Sequence, residues 1–260
     1  VSATQAFRAR ALRGDKLLGT VVASSDIALA EVVAAQFDFL WIDLEHSALT
    51  VRDVQSLCIA ARASRCATLV RVPLPASALL GALLDIGVDG VIAPRVEDVA
   101  VAEAFAAGLR YPPDGSRGFA HRRATAYGLD GRPTSPEHAP LCLVQVESRV
   151  AVERAGTLAA VPGVDGLVVG PNDLAFDLGL DGDLRSPELL VAIEAVQSAA
   201  RDAGVIAGLA AGGDRKLVAD VLGATSTLLA YSADVRMYAQ AVESSATAMR
   251  AAWSAATSPV

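Results

Sequence analysis

The sequence predicts an α/β protein, a closed (β/α)8 barrel of the TIM type. Eight strand-like apolar runs alternate with helical stretches at mostly regular spacing. The runs lack period-two alternation, as parallel strands buried on both faces should. The alternative, an open doubly wound sheet, calls for a glycine fingerprint after its first strand. No Gly-x-Gly-x-x-Gly follows Val22, and no Gly-x-x-x-x-Gly-Lys occurs anywhere.

The elements follow in order. Phe7 to Leu12 form a short amphipathic helix closed by Gly14, and Leu17 to Val22 is the first strand. Ser25-Asp26 caps a helix through about Ala35. The second strand, Phe37 to Asp43, ends abruptly in Asp43, Glu45 and His46. Thr50 caps a helix through about Ala63, with Cys58 on its apolar stripe. Thr68 to Val72 is a third strand, stopped by Pro73, and Leu79 to Ile86 is a helix ending at Gly87. Gly90 to Ala93 is a fourth strand, stopped by Pro94, and a helix runs from Val96 to Ala107.

The rhythm breaks between Arg110 and Pro140, a loop long enough to be functional or disordered. It resumes with Leu141 to Val146, then Glu147 and a helix to about Ala160. Gly166 to Val169 is the sixth strand, running into Gly170-Pro171-Asn172-Asp173. Ser186-Pro187-Glu188 opens a long helix to about Ala203, with proline in its first turn. Gly204 to Gly208 is a seventh strand, Asp214 to Leu222 a helix closed by Gly223, and Thr227 to Ala230 an eighth strand. Asp234 caps a final alanine-rich helix to about Trp253. No domain boundary is visible, so residues 1–260 are read as one barrel.

With 53% apolar residues the chain can bury one large core. A formal charge of −7 and the lack of any basic block argue against a nucleic-acid partner. No apolar run is long enough for a membrane span, and the first residues show no signal-peptide pattern. Cys58, Cys66 and Cys142 are too few and wrongly spaced for a disulfide framework or zinc ribbon. They read as reduced thiols of a cytoplasmic protein.

In a parallel barrel the chemistry sits at the C-terminal ends of the strands. Asp43 and His46 are near enough in sequence for a carboxylate to orient an imidazole as a general base; a polar strand end is the plainer reading. Arg71 either pairs with a rim acid or binds an oxyanion. Gln145 and Glu147, two apart, share a face. Glu147 and Asp173 end consecutive strands, which lie ~4.8 Å apart, so they can meet around one ion; otherwise each caps the helix after its strand. Two carboxylates without cysteine favour a hard divalent cation, Mg²⁺ or Mn²⁺, with Co²⁺ a further candidate. The turn through Asn172 and Asp173 offers backbone N–H groups to a substrate carboxylate. His121 and His138 lack ligand spacing and are expected to be exposed.

Taken as a set, these residues resemble the HpcH/HpaI aldolase family of metal-dependent class II pyruvate aldolases. The matching motifs are Phe37 through His46; Arg71-Val72-Pro73; and Arg110-Tyr111-Pro112-Pro113 with Gly115 and Arg117-Gly118. They continue with Gln145-Val146-Glu147-Ser148, then Gly163-Val164-Asp165-Gly166, then Gly170-Pro171-Asn172-Asp173-Leu174. The resemblance implies a (β/α)8 barrel with the metal on Glu147 and Asp173. It implies His46, paired with Asp43, as base or proton relay, and Arg71 as enolate and carbonyl stabiliser. Gln145 would line the metal site, with Asn172 and Asp173 at the substrate. It also implies a homohexamer, a trimer of dimers, with the last helix exchanged between subunits. Phe176 and Tyr231-Ser232-Ala233-Asp234 depart from the family's commoner pattern near the mouth, where they bear on substrate size.

The expected activity is retro-aldol cleavage of a 4-hydroxy-2-oxo acid to pyruvate and an aldehyde. A biosynthetic carbon–carbon-joining synthase is the alternative, and a non-catalytic barrel a third reading. No lysine sits at a strand end suited to a Schiff base, which argues against a class I aldolase.

Overall fold

The computed structural model describes residues 3–74, 77–129, 138–221 and 226–257. Eight parallel strands close into a barrel in chain order, β8 pairing back onto β1. They are β1 (Leu17–Val22), β2 (Phe39–Asp43), β3 (Ala67–Arg71), β4 (Gly90–Ala93), β5 (Leu141–Val146), β6 (Gly166–Val169), β7 (Ile206–Ala210) and β8 (Leu228–Ala233). Every residue of β2 through β6 is buried, which is why these strands read as unbroken apolar runs.

The core has two shells. Side chains pointing inward, among them Phe39, Trp41, Leu69, Ile92, Leu143 and Val168, fill the barrel itself. Those pointing outward meet the helices. Helix α1 (Ala3–Leu12) inserts Phe7 at the N-terminal end of the barrel, its ring centroid 6.1 Å from that of Phe39. Apolar filling from below leaves the opposite end to polar groups.

The first helices form for the expected local reasons. Asp26 caps α2 (Ile27–Ala34), accepting the Leu29 N–H, and Thr50 with Asp53 forms a reciprocal capping box on α3 (Val51–Ala63). Helices α4 (Ser77–Ile86) and α5 (Val99–Gly108) follow. After β5, the single helix expected to Ala160 is two, α6 (Arg149–Glu153) and α7 (Ala155–Ala159). Arg154 breaks it, leaving helical geometry at φ −98 and ψ 5 while its guanidinium donates to the Glu97 carbonyl at 2.8 Å.

A short helix, α8 (Pro171–Asp177), follows β6 directly, ahead of α9 (Pro187–Asp202). Helix α10 (Arg215–Val221) begins as expected; its predicted close at Leu222-Gly223 lies outside the described residues. Strand β8 overruns its predicted end, and α11 (Asp234–Thr257) starts without a turn. Ser232, at φ +60, lets the strand bend while still pairing, across a register shift against β1. Asp234 then accepts the N–H groups of Ala23 and Ser24, at 3.0 and 3.1 Å, fastening α11 to the top of β1.

The long segment after α5 has no strand among its described residues, only a 3-10 turn over Arg123–Gly128. Its Arg110 reaches under the barrel to Asp165, the residue before β6. Asp165 also takes a two-pronged contact from Arg8 of α1, at 2.8 and 2.6 Å, and the Cys142 N–H at 2.9 Å. The Gly163-Val164-Asp165-Gly166 motif is therefore a structural tie at the N-terminal end, remote from the chemistry. Replacing Asp165 by Ala strands two largely buried guanidiniums, which costs about 3–5 kcal/mol. Urea unfolding of Asp165→Ala is expected to show that loss, with catalysis per folded molecule retained.

Candidate active site

At the opposite end, strand pairing places Asp43 of β2 beside Arg71 of β3. The Arg71 Nε lies 2.9 Å from Asp43 Oδ1, and its Nη2 lies 2.6 Å from Oδ2. This is the two-pronged guanidinium–carboxylate geometry, stronger than a single neutral hydrogen bond. Asp43 Oδ1 also accepts the backbone N–H groups of Glu45 and His46, at 3.0 and 3.3 Å. Burial pushes the Asp43 carboxyl up, but Arg71 and these donors hold it below the usual range.

Asp43 is thus committed to Arg71, and this corrects the expected Asp43–His46 pair. What Asp43 receives from His46 is its backbone N–H. The imidazole is 63% exposed, and the carboxylate beside it is Glu45, with Nε2 to Oε2 at 3.8 Å. Glu45 also lies 3.3 Å from Arg71 Nε.

The clamp continues across the mouth. Arg71 Nη1 lies 3.5 Å from Gln145 Oε1, and the Gln145 amide donates to Glu147 Oε1 at 2.6 Å. The other Glu147 oxygen accepts the Arg95 N–H at 3.1 Å. Gly170 makes room for this: a Cβ there would overlap Glu147 Oε1 and stand 2.8 Å from Gln145 Nε2.

Asp173, on the first turn of α8, is half-exposed, with Arg95 Nη1 at 3.9 Å. Burial, then the neighbouring Asp173 charge, pushes the Glu147 carboxyl up to about 7 against the pull of Arg71. Glu147, Asp173, Arg71, Gln145, Asn172 and His46 all line one cavity of about 190 Å³, floored in part by Trp41. Every expected site residue reaches this cavity except Asp43, which stands behind Arg71.

One contributor escaped the sequence reading. Arg95, at φ +50 just beyond β4, supplies both a backbone donor to Glu147 and a cation near Asp173. The rule that singled out Arg71, a charge at a strand's C-terminal end, marks Arg95 equally. Ser232 reaches the cavity because β8 continues past Ala230.

Folded Glu147 keeps its proton up to about 7, whereas its ordinary value is 4.5. The native chain therefore binds more protons in that window, and stability from this group falls as pH rises through it. Urea unfolding of the metal-free protein at pH 5 and pH 8 is expected to show a smaller drop for Glu147→Gln than for wild type. Equal drops would remove the carboxyl as the cause.

The HpcH/HpaI aldolase/citrate lyase family model matches residues 19–241, nearly the whole barrel. The hydroxypyruvate/pyruvate aldolase of Roseobacter denitrificans is 31% identical over 235 residues, covering 89% of this chain and 91% of its own. The 2-keto-3-deoxy-L-rhamnonate aldolase of Salmonella schwarzengrund is 33% identical over 244 residues, covering 92% and 90%. A solved HpcH/HpaI aldolase/citrate lyase family protein from Burkholderia cenocepacia superposes with a TM-score of 0.87 at 33% identity, covering 95% of this chain and 99% of that one. Agreement of this extent, in sequence and in fold, places the chain in the HpcH/HpaI aldolase/citrate lyase family, as a carbon–carbon lyase.

Proposed function

We propose that this lyase is a divalent-metal-dependent aldolase that cleaves 4-hydroxy-2-oxo acids to pyruvate and an aldehyde. The observation that carries the reading is the convergence of Glu147, Asp173 and the clamped Arg71 on one small cavity. The donor set suits a hard cation. It has two carboxylates, one of them raised by its burial and then by the other, and Gly170 leaves room beside it. Among the described residues no three ligating side chains gather in one place, so the protein's share is these two acids. Mg²⁺ or Mn²⁺ fits such oxygen ligation, with Co²⁺ a substitute. Glu147 and Asp173 would hold the cation, which would supply a fixed positive charge at the oxo-acid end of the substrate.

The chain's own residues do the rest. Arg71 binds the 2-oxo oxygen, where negative charge collects as the C3–C4 bond breaks. Asp43 fixes the guanidinium in that pose, and Gln145 orients Glu147. Asn172 and the N–H groups of its turn meet the substrate carboxylate. His46, on the open rim beside Glu45, takes the 4-hydroxyl proton. C4 departs as the aldehyde carbon, the electron pair stays on the pyruvate fragment, and the proton returns to C3.

Exchange of the pyruvate methyl protons in D₂O, followed by NMR with and without Mn²⁺, tests this site without the true aldehyde. Glu147→Gln is expected to abolish metal-dependent exchange. Arg71→Lys, which keeps the charge and loses the fork, is expected to slow it about 10²- to 10³-fold. A Glu147→Gln enzyme that turns over without metal would sink the assignment.

Helix α11 supports an oligomer. Val235, Tyr238, Val242, Met249 and Trp253 are exposed on it, and their spacing puts them on one stripe. We infer that the stripe packs on neighbouring copies, in a homohexamer with α11 exchanged. The buried free thiols fit a cytoplasmic home, and no helix among the described residues is long and apolar enough to cross a membrane. Light scattering is expected to give a multiple of the chain mass for wild type and a smaller mass for a Tyr238→Asp, Val242→Asp double variant. A monomeric wild type would overturn the inference.

A further inference from the structure

We propose that a cationic pocket beside the active cavity holds the anionic tail of the aldehyde portion of the substrate, a phosphate or carboxylate group. This rests on the aldolase reading above and names the substrate class that the site prefers. The pocket, of about 550 Å³, lies between the start of α10 and the start of α11. Arg215, Lys216, Arg236 and Tyr231 line it.

Its cations are not locked in close ion pairs, although the Lys216 charge is felt by Asp214. Among the described residues, Arg215, Lys216 and Arg236 engage no carboxylate side chain in an ion pair. The one acid there, Asp214, turns its carboxylate to the N–H groups of Lys216 and Leu217, at 2.8 and 3.0 Å. Arg215 is held in place instead: its Nε lies 3.3 Å from the Tyr231 hydroxyl, which donates to the Gly213 carbonyl at 3.2 Å. Three exposed cations at one place, one of them positioned by Tyr231, in a chain of net charge −7 suit oxyanion recognition.

The pocket adjoins the catalytic one. Gly212 and Ser232 line the active cavity, while their chain neighbours Gly213 and Tyr231 line the cationic pocket. Gly213, at φ +90, keeps the seam thin: a Cβ there would come within 3.2 Å of Ser232 Oγ and 3.6 Å of Arg236 Nε. Arg236 therefore sits across this thin seam from the active cavity. The residues Tyr231 to Asp234, which set this sequence apart at the mouth, build the wall between the two.

Two measurements test the subsite. Inorganic phosphate titrated into the metal-free protein, followed by ³¹P NMR, is expected to bind to wild type and about tenfold more weakly to Arg215→Gln and to Arg236→Gln. In aldol synthesis from pyruvate with Mn²⁺, the ratio of kcat/KM for glyceraldehyde 3-phosphate over glyceraldehyde is expected to fall about tenfold in Arg236→Gln. Phosphate binding that is absent, or unaltered by both substitutions, overturns the subsite whether or not the enzyme turns over. An unchanged ratio, in a protein whose pyruvate exchange is intact, overturns it while leaving the aldolase reading standing.

Discussion

The Asp43–Arg71 contact is the constraint on which the mouth of the barrel depends. A guanidinium at the end of a buried strand is costly unless it is matched. Here β2 and β3 pair in the register that sets a carboxylate directly beside it. Once the fork is closed, the remaining Arg71 edge faces Gln145, and Gln145 in turn fixes Glu147. One strand register thereby orients residues on three strands around a single cavity. Losing Arg71 leaves the Asp43 carboxylate buried with backbone donors alone, a loss of about 3–5 kcal/mol before any effect on chemistry.

The two ends of the barrel divide the work. Asp165, Arg8 and Arg110 form a charged tie at the N-terminal end, in which both guanidiniums meet the one carboxylate. At the C-terminal end the charges are only partly answered. Glu147 is raised by burial and then by its neighbour Asp173, and the single Arg71 guanidinium has both Asp43 and Glu45 beside it. Satisfied polar networks hold a fold together, whereas unsatisfied ones await a ligand. The same contrast separates stability from function at the two faces of such barrels.

Much of this was legible beforehand, for identifiable reasons. β1, β4, β5 and β6 have their predicted bounds; the last three do so because strands buried on both faces read as apolar runs, and these stop at Pro94, Glu147 and Gly170. β8 was cut short because Tyr231 and Ser232 interrupt its apolar run, although the backbone goes on pairing. The acids, Arg71 and His46 were visible as charges at strand ends, but their partners were not. Proximity in sequence favoured Asp43 with His46, whereas lateral strand pairing gave Asp43 to Arg71. Cross-strand neighbours depend on register, which no local pattern encodes. The Arg154 break is of the same kind, since it rests on a contact with the distant Glu97 carbonyl.

The placement of Trp41 also makes the protein its own optical probe. Its indole is 1% exposed at the floor of the cavity, 5.8 Å from the Arg71 guanidinium, with no hydrogen-bond partner for its N–H among the described residues. The chain's other tryptophan, Trp253, is 75% exposed on α11. One chromophore therefore emits from a buried site beside a charged cavity and the other from the far end of a helix. Their fluorescence separates by surroundings, and the access of a soluble quencher to Trp253 reports whether a neighbouring copy covers α11. Events in the active site register in Trp41, and events at the α11 surface register in Trp253.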